Sequence, residues 1–478
     1  MKKKLLLGIA LLSVSLPTLA GGLLTNTNQH ILFLRLLARD ASTRIDAVYS
    51  NPAGTAFMPN GFHFSLNNQS AFQTRTINSQ FPLFMHNNGT PNKEYVGKAS
   101  AAFVPSLFAV YKKDKWAFST SFALTGGGGK AVFNDGLPSF EAKVASIIPT
   151  INSIEALKKF GVNRYAIDSY MEGQQYIFGW QLGASYKITD YLSVFGGARL
   201  NYVNNKYKGH LKNLRLGLGN SPTLISGSQL LDQALAGLQQ QGVQVPAEMI
   251  AKFKNAVSDK VLEVEQTGWG VTPIVGADFK YNKLNIGVKY ELLTSLNVVN
   301  KTVKDDTNNF KEGVNTPHDI PSLLTIGAEY EILPTLRASA GYHHYFDKSA
   351  KMAEVTAENG IKVGKQNFIK GGTNEYLAGV EWDVCKWAQL SAGTQFTRYN
   401  VGNEYQQDIS FAVSSYSIGF GAGIKISPKL TFNIAYMLTN YENFEKASNF
   451  KLGAASIPMK ETFTRTSKVF GVGVDYSF

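Results

Sequence analysis

The chain has 478 residues, a net charge of +12, 44 glycines and one cysteine. A single cysteine excludes an internal disulfide framework and a CxxC metal site, and the mean hydropathy of −0.11 is too low for a membrane protein built of helices. The length suits two or three soluble domains, or one large barrel. In a barrel the apolar lipid-facing residues and the polar lumen-facing residues offset each other in the mean hydropathy.

The first residues have the pattern of a secretory signal peptide. Lys2–Lys4 precede an apolar run from Leu5 to Leu16, and small residues follow up to Ala20. That run is shorter than the roughly 20 residues of a bilayer-crossing helix, which disfavours a membrane anchor. We therefore expect residues 1–20 to be cleaved after Ala20. A net positive charge can indicate an anionic partner. For an exported protein, lipid phosphates and carboxylate ligands are nearer than nucleic acid, so we expect no nucleic-acid partner. Charge alone does not choose between these anions.

Residues 21–60 show no sustained alternation of apolar and polar residues, yet they are rich in Leu, Ile and Phe. Exposed apolar surface is buried wherever a wall is available. Beyond Ala20 no stretch approaches the roughly 18 uninterrupted apolar residues of a helical span, so a membrane can be crossed only by strands. We therefore expect residues 21–60 to form a hatch inside the lumen of a barrel.

The rest of the chain alternates apolar and polar residues with the period of two that a half-buried strand has. At the end of the chain Phe470, Val474 and Phe478 share one face, and Asp475 lies on the other. Such segments occur fourteen times, at 61–76, 97–111, 116–126, 173–187, 192–213, 261–281, 284–304, 321–331, 336–347, 371–383, 389–400, 409–426, 430–442 and 462–478. Residues 61–478 are therefore predicted to form an all-β, antiparallel transmembrane barrel of about 14 strands.

The links between these strands are alternately short and long, which orients the barrel because short turns belong to the periplasmic side. Two long links, around 140–160 and 228–259, have helical composition. We expect them to be helices over the extracellular mouth. The alternative, two inserted soluble domains, is disfavoured because neither link is long enough to build much core.

The sequence ARDASTRIDAVYSNPAG, Ala38 to Gly54, precedes the first strand and includes Asn51, Pro52, Ala53 and Gly54. In this position, ahead of about 14 strands, it is similar to the hatch of the FadL-type family of outer-membrane long-chain fatty acid and hydrocarbon transporters. The resemblance implies that outer loops capture a hydrophobic ligand, that a pocket beside the hatch receives it, and that a hatch rearrangement releases it.

The family resemblance also implies an inward kink of the third strand that opens a gap in the wall. The candidate kink is the glycine run Gly126, Gly127, Gly128 and Gly129, because glycine permits bends and leaves ladder positions without side chains. The alternative is the start of a flexible loop. We place these glycines at the end of the predicted strand, whereas the family kink lies within it.

A fatty acid needs an apolar lining for its tail and a cation for its carboxylate. Candidates for the lining are the hatch residues Ile31, Phe33, Leu34, Leu36 and Leu37. Several inward-facing cations are available, and we expect most of them to pair with inward acids such as Glu291 and Glu381, because unpaired buried charge is costly. The candidate ligand cations are Arg199 and Lys289.

The alternative functions are an outer-membrane enzyme acting on lipids, a general porin and an adhesin. The chain has no GxSxG or HExxH motif, and His343 and His344 would face opposite sides of one strand. We therefore expect no enzyme, no cofactor and no metal. A porin needs an open aqueous lumen, which an apolar hatch argues against.

The expected function is passive uptake of hydrophobic small molecules, fatty acids or hydrocarbons, across the bacterial outer membrane, with possible lateral exit. The expected partners are outer-membrane lipid and lipopolysaccharide and the barrel assembly machinery, and the expected oligomeric state is a monomer.

Phe478 resembles the terminal aromatic assembly signal of outer-membrane barrels. We expect deletion of Phe478 to lower the amount of folded protein in the membrane before it impairs transport, with Phe478→Tyr as the control that keeps an aromatic ring. The folded fraction can be measured from the heat-dependent migration of the barrel on gels, and normal membrane levels of the deleted protein would contradict the assignment.

Overall fold

The computed structural model describes residues 22–153, 158–240, 247–356 and 361–478, and the predicted signal peptide, residues 1–20, lies outside these ranges. The strands are β1 (Gly61–Gln80), β2 (Asn92–Lys113), β3 (Trp116–Phe133), β4 (Val162–Lys187), β5 (Leu192–Leu218), β6 (Leu224–Ser226), β7 (Lys260–Tyr281), β8 (Leu284–Glu291), β9 (Asn297–Asp305), β10 (Asn315–Pro317), β11 (Leu323–Leu333), β12 (Leu336–Tyr345), β13 (Glu354–Thr356), β14 (Lys362–Gly364), β15 (Thr373–Cys385), β16 (Ala388–Arg398), β17 (Ser415–Ser427), β18 (Leu430–Tyr441), β19 (Phe444–Leu452) and β20 (Ala455–Ser477).

The helices lie in the residues before β1 and in the links between strands. The α-helices are α1 (Ile31–Arg35), α2 (Ala47–Ser50), α3 (Met85–Asn88), α4 (Pro138–Ala145), α5 (Ile147–Asn152), α6 (Gly227–Gln240) and α7 (Ala247–Val257). The 3-10 helices are Pro52–Phe57, Pro82–Phe84, Asp347–Ser349, Lys365–Phe368 and Asn403–Tyr405. In the described ranges no helix combines the length and the apolar character that a bilayer crossing requires.

Fourteen strands form a closed antiparallel barrel, which confirms the predicted fold. They are β1–β5, β7, β8, β11, β12, β15–β18 and β20, each paired with the next. The barrel closes where β1 pairs with β20, from His63 opposite Ser477 to Gln80 opposite Lys460. Because the first and last strands are hydrogen-bonded to each other, the wall has no free edge to expose to lipid.

Several strands extend beyond the predicted ranges. The third strand continues past residue 126 to Phe133, so the glycine run lies within β3. The predicted position of this run at the end of the strand is therefore wrong. The segment predicted as one strand over 284–304 is broken after Glu291 and resumes at Asn297. The two long links predicted to be helical do contain α4 and α5, and α6 and α7.

The outer surface carries the apolar face of each strand. On β20, Phe470 and Val474 are exposed, whereas Ser467, on the inner face of the same strand, is buried. All five tryptophans are exposed, with Trp269 at 62%. A soluble protein buries most of the surface of such residues, whereas a transmembrane barrel places aromatic residues at its two lipid interfaces.

Phe478 lies at the end of the wall where the short turns are. Its ring is 63% exposed, and its backbone N–H donates to the carbonyl of Phe62 over 2.9 Å. It also contacts Phe64 and Tyr476 edge to face. The last residue is therefore part of the β1–β20 seam, on the outward face.

Candidate functional site

The lumen is filled by residues 22–60, which we name the N-terminal segment. Almost every residue in it is buried. Its helix α1 is capped by His30, whose Nδ1 accepts from the backbone N–H of Leu32 over 3.1 Å. Burial lowers the pKa of His30, which favours the neutral ring that this cap requires.

The four residues Asn51 to Gly54 hold the N-terminal segment against one side of the wall. Asn51 donates to the Asp278 carboxylate on β7. The carbonyls of Pro52 and Ala53 accept hydrogen bonds from serine hydroxyls on the wall over 2.7 Å each, from Ser185 on β4 and from Ser193 on β5. At Gly54 a Cβ atom would lie 2.4 Å from the Ser42 carbonyl oxygen, so only glycine fits there.

The opposite side of the segment is held by charge. Arg35 and Arg44 both reach Glu381 on β15, which also accepts from Arg337 on β12. Within the segment, Arg39 binds Asp46 over 2.7 Å. Burial alone would raise the pKa of Asp46, but the Arg39 guanidinium outweighs it and the pKa lies below its usual range. The Asp46 carboxylate therefore stays charged and keeps its ion pair with Arg39.

Asp40 makes a further link that the sequence did not suggest. His343 of β12 lies between two carboxylates, 2.9 Å from Asp40 of the segment and 2.8 Å from Glu375 of β15. His343 is buried and His344 is half-buried on the outer face, as the alternation predicts. These two histidines do not share a site, and in the described ranges no group of three or more His, Cys, Asp or Glu side chains is arranged so that it could hold a metal ion.

The predicted apolar lining is packed against the wall. Ile31, Phe33, Leu34, Leu36 and Leu37 are each at most 4% exposed. They face a wall surface made largely of glycine: a Cβ atom on Gly379 would lie 2.3 Å from Leu36, and one on Gly419 would lie 2.2 Å from the Leu34 carbonyl oxygen. Their role in ligand binding stays a prediction, and in this structure it requires the segment to move.

The two candidate ligand cations share one acid. Arg199 forms two hydrogen bonds to Glu291, of 2.7 and 3.0 Å, and Lys289 donates to the same carboxylate over 2.7 Å. Both cations also lie against the ring of Tyr49 from the N-terminal segment. The expected pairing of inward cations with acids is therefore found here, and a ligand carboxylate at this place would compete with Glu291.

The ladder between β2 and β3 is interrupted. Gly97–Ser100 pair with Lys130–Phe133, and Leu107–Lys113 pair with Trp116–Phe122, but residues 101–106 and 123–129 do not pair with each other. On its other side β3 has register shifts at Thr125 and Gly128. Backbone φ angles of +77° at Gly127 and +140° at Gly129 lie in the region that favours glycine. The glycine run thus lies at the interruption of the β2–β3 ladder, which we call the wall gap.

The start of the N-terminal segment occupies this gap. Asn26 donates from its backbone N–H to the carbonyl of Thr125 and from its side chain to the carbonyl of Gly127, both over 2.8 Å. Ser106 of β2 donates to the carbonyl of Gln29 over 2.6 Å. These contacts were missed from sequence, although the wholly polar run Thr25–His30 in an apolar segment was a signal that its side chains have partners.

A small cavity lies beside the gap. It is lined by residues of the segment and of β1, β2 and β3, among them Asn28, Gln69, Val104 and Leu124. Its volume is about 10 Å³, room for roughly one water molecule. The gap is therefore closed from within, and its opening depends on the position of residues 26–29.

Three solved structures share this architecture. A FadL homologue of Pseudomonas aeruginosa is 14% identical, with a TM-score of 0.66, covering 96% of this chain and 100% of that chain. The toluene transporter TodX of P. putida is 14% identical, with a TM-score of 0.52, covering 91% and 95%. The toluene transporter TbuX of Ralstonia pickettii is 15% identical, with a TM-score of 0.51, covering 91% and 94%. At such identities the likeness concerns the fold.

No protein-family model matches the sequence, and no curated protein is significantly similar to it in sequence.

The first prediction from the site concerns the close contact of the segment with the wall. A Cβ atom on Gly327 would lie 2.5 Å from the Cβ of Asp40, so Gly327→Leu should displace the N-terminal segment and produce a steady ion current in planar bilayers. Gly196→Leu is the matched control, because a Cβ atom there meets nothing within 4 Å. If the folded Gly327→Leu protein gave no more ion current than the control, this packing would be contradicted.

The second prediction concerns the acid shared by Arg199 and Lys289. Glu291→Gln leaves two buried cations without their carboxylate and should lower the free energy of unfolding by about 3–5 kcal/mol, measured by urea titration in liposomes. Adding Lys289→Met to Glu291→Gln removes one of these charges and should restore part of the loss. An unfolding midpoint unchanged by Glu291→Gln would show that the carboxylate does not compensate the two cations.

Proposed function

We propose that this protein takes up hydrophobic compounds, long-chain fatty acids first among them, across the bacterial outer membrane. The observation that carries the proposal is the wall gap between β2 and β3, occupied from within by Asn26 of the N-terminal segment. A gap in the wall is of no use to a hydrophilic solute, because it opens into lipid. For an apolar compound it is an exit that avoids water.

The proposed location follows from the surface and the closure of the barrel. Exposed aromatic and aliphatic residues cover the outside, and Trp269 and Phe103 are 62% and 72% exposed. So much exposed apolar surface on a closed barrel favours a lipid environment. We take the signal peptide at residues 1–20 and the division into a hatch (21–60) and a barrel (61–478) as parts of the same proposal.

The hatch role is supported by how the segment is held. Residues 22–60 fill the lumen, so the barrel in this state is not an open pore. The bonds that hold the segment include the ion pair of Arg44 with Glu381 and the hydrogen bond of Asp40 with His343, and both can be exchanged for other partners when the segment moves. We propose that ligand entry from the loop side shifts residues 26–29 and opens the gap.

The ligand class is proposed from the architecture and the neighbouring structures. The structures with the same fold are described as a FadL homologue and as toluene transporters. A cluster of buried apolar residues lies beneath the loops, including Phe81, Phe133, Phe411 and Phe463, and such a surface suits an alkyl chain at about 0.8 kcal/mol per buried CH₂. Passive diffusion is the proposed mode, and no catalytic role is proposed.

The test removes the two bulged residues of β3. Deleting Thr125 and Gly128 leaves a continuous ladder with β4 and keeps the inward and outward alternation of residues 129–133, because two residues are lost. We expect uptake of labelled oleate, by cells without another fatty acid uptake protein, to fall to the level of cells lacking the barrel.

The control deletes Gly453 and Ala454, the tip between β19 and β20, which leaves the register of that hairpin unchanged. Uptake should then remain normal. Full oleate uptake by the Thr125 and Gly128 deletion would contradict the wall route. Wild-type uptake of toluene without uptake of oleate would contradict the fatty acid assignment and leave the hydrocarbon one.

A further inference from the structure

Near the long loops, one row across neighbouring strands contains three lumen-facing residues: Arg75, Arg465 and Tyr441. Arg75 of β1 lies directly opposite Arg465 of β20. Asn440 of β18 pairs with Thr466 on the other side of β20, so Tyr441 and Arg465 are neighbours in the next row. The two arginines are 1% and 3% exposed. Like charges directly opposite each other on adjacent strands repel, and burial strengthens that repulsion.

Arg465 has donor capacity that the protein does not use. Its Nη2 donates to the carbonyl of Phe411 over 2.9 Å. Its Nε and the hydroxyl of Tyr441 are both buried without a hydrogen-bond partner among the residues that the structure describes. Arg465 forms no ion pair with a carboxylate in those ranges, and Glu461, the next acid on the inner face of β20, is four positions away. This is the reverse of Arg199, which Glu291 neutralises.

The surroundings of Arg465 are aromatic and apolar. Its guanidinium lies 5.3 Å from the ring centroid of Phe411 and 5.0 Å from that of Tyr441. The Arg75 guanidinium lies 5.7 Å from the same Phe411 ring. Phe411, Met459 and Phe463 belong to the large buried apolar cluster beneath the loops. Positive charge and apolar surface therefore meet at one place.

We propose that Arg465 and Tyr441 bind the carboxylate of a long-chain monocarboxylate, whose alkyl chain lies on the adjoining apolar cluster. This inference rests on the proposed function, and it assigns an acidic amphiphile and not a neutral hydrocarbon as the ligand. One carboxylate oxygen accepts from Arg465 Nε and the other from the Tyr441 hydroxyl, while Arg75 adds positive charge. A carboxylate here uses both unpartnered donors, Arg465 Nε and the Tyr441 hydroxyl, and a hydrogen bond to a charged partner is stronger than one between neutral groups.

Phe411 covers this carboxylate site. It lies in the link between β16 and β17, outside the hydrogen-bonded wall. Its ring can therefore move aside without breaking the barrel. The site is at the loop end of the lumen, so a ligand meets it before it meets the N-terminal segment.

The experiment compares hexadecanoate with hexadecan-1-ol, which has the same chain and no charge. Binding of both labelled probes to the full-length purified barrel is measured by equilibrium dialysis. We expect Arg465→Met to weaken hexadecanoate binding by about tenfold or more, as for a lost hydrogen bond to a charged group, and to leave hexadecan-1-ol binding unchanged. Tyr441→Phe should weaken hexadecanoate binding by a smaller factor. Arg398→Met, at an exposed arginine of β16, is the matched control and should change neither.

The outcomes separate this inference from the proposed function. If Arg465→Met and Tyr441→Phe weaken both probes equally, or neither, the carboxylate site is overturned while hydrophobic binding stands. If the wild-type protein binds neither probe, the proposed function fails, and the carboxylate site with it. Because Tyr441→Phe removes one oxygen only, it keeps the test decisive even where Arg465→Met does not assemble.

Discussion

The structure depends on one requirement, that backbone N–H and C=O groups facing lipid must be paired within the protein. The pairing of β1 with β20 meets this requirement around the wall. Between β2 and β3 the ladder is interrupted, and there the carbonyls of Thr125 and Gly127 accept from Asn26 of the N-terminal segment. The segment therefore completes the wall at the place where the wall is open. In the proposed uptake route, a shift of the segment would both unpair these groups and clear the gap, so that the same hydrogen bonds would couple lumen blockage to lateral opening.

The segment is kept in place by compensated charge as much as by apolar packing. Arg35 and Arg44 of the segment pair with Glu381 of the wall. Arg199 and Lys289 pair with Glu291 within the wall and contact the segment through the ring of Tyr49. Buried ion pairs contribute little net stability, but removing one partner leaves an uncompensated charge and is costly. Such pairs favour one position of the segment over nearby alternatives. The glycine-rich inner wall adds to this, because it lets the segment's backbone approach the strands closely.

Arg465 differs from these cations in both place and partners. Glu381 lies near the short turn that follows β15, whereas Arg465 and Tyr441 lie near the long loops. A ligand carboxylate at Arg465 would thus be held at the loop end of the lumen, away from the compensated charges that hold the segment. The charges that hold the segment and the proposed carboxylate site are thus separated along the length of the barrel.

The sequence by itself determined the strand wall, because the face that a side chain takes depends only on local alternation along its own strand. Fourteen such segments could be predicted in this way, whereas the helical long links and the hatch were predicted from composition. Only the tertiary structure decided the partners. Arg199 and Glu291 are 92 residues apart, and Arg75 and Arg465 meet only because the barrel closes. The bulges at Thr125 and Gly128 interrupt the alternation of inward and outward residues. The predicted third strand therefore ended at residue 126, although β3 continues to Phe133. Register and bulges are set by the neighbouring strand, and a single strand's sequence does not contain them.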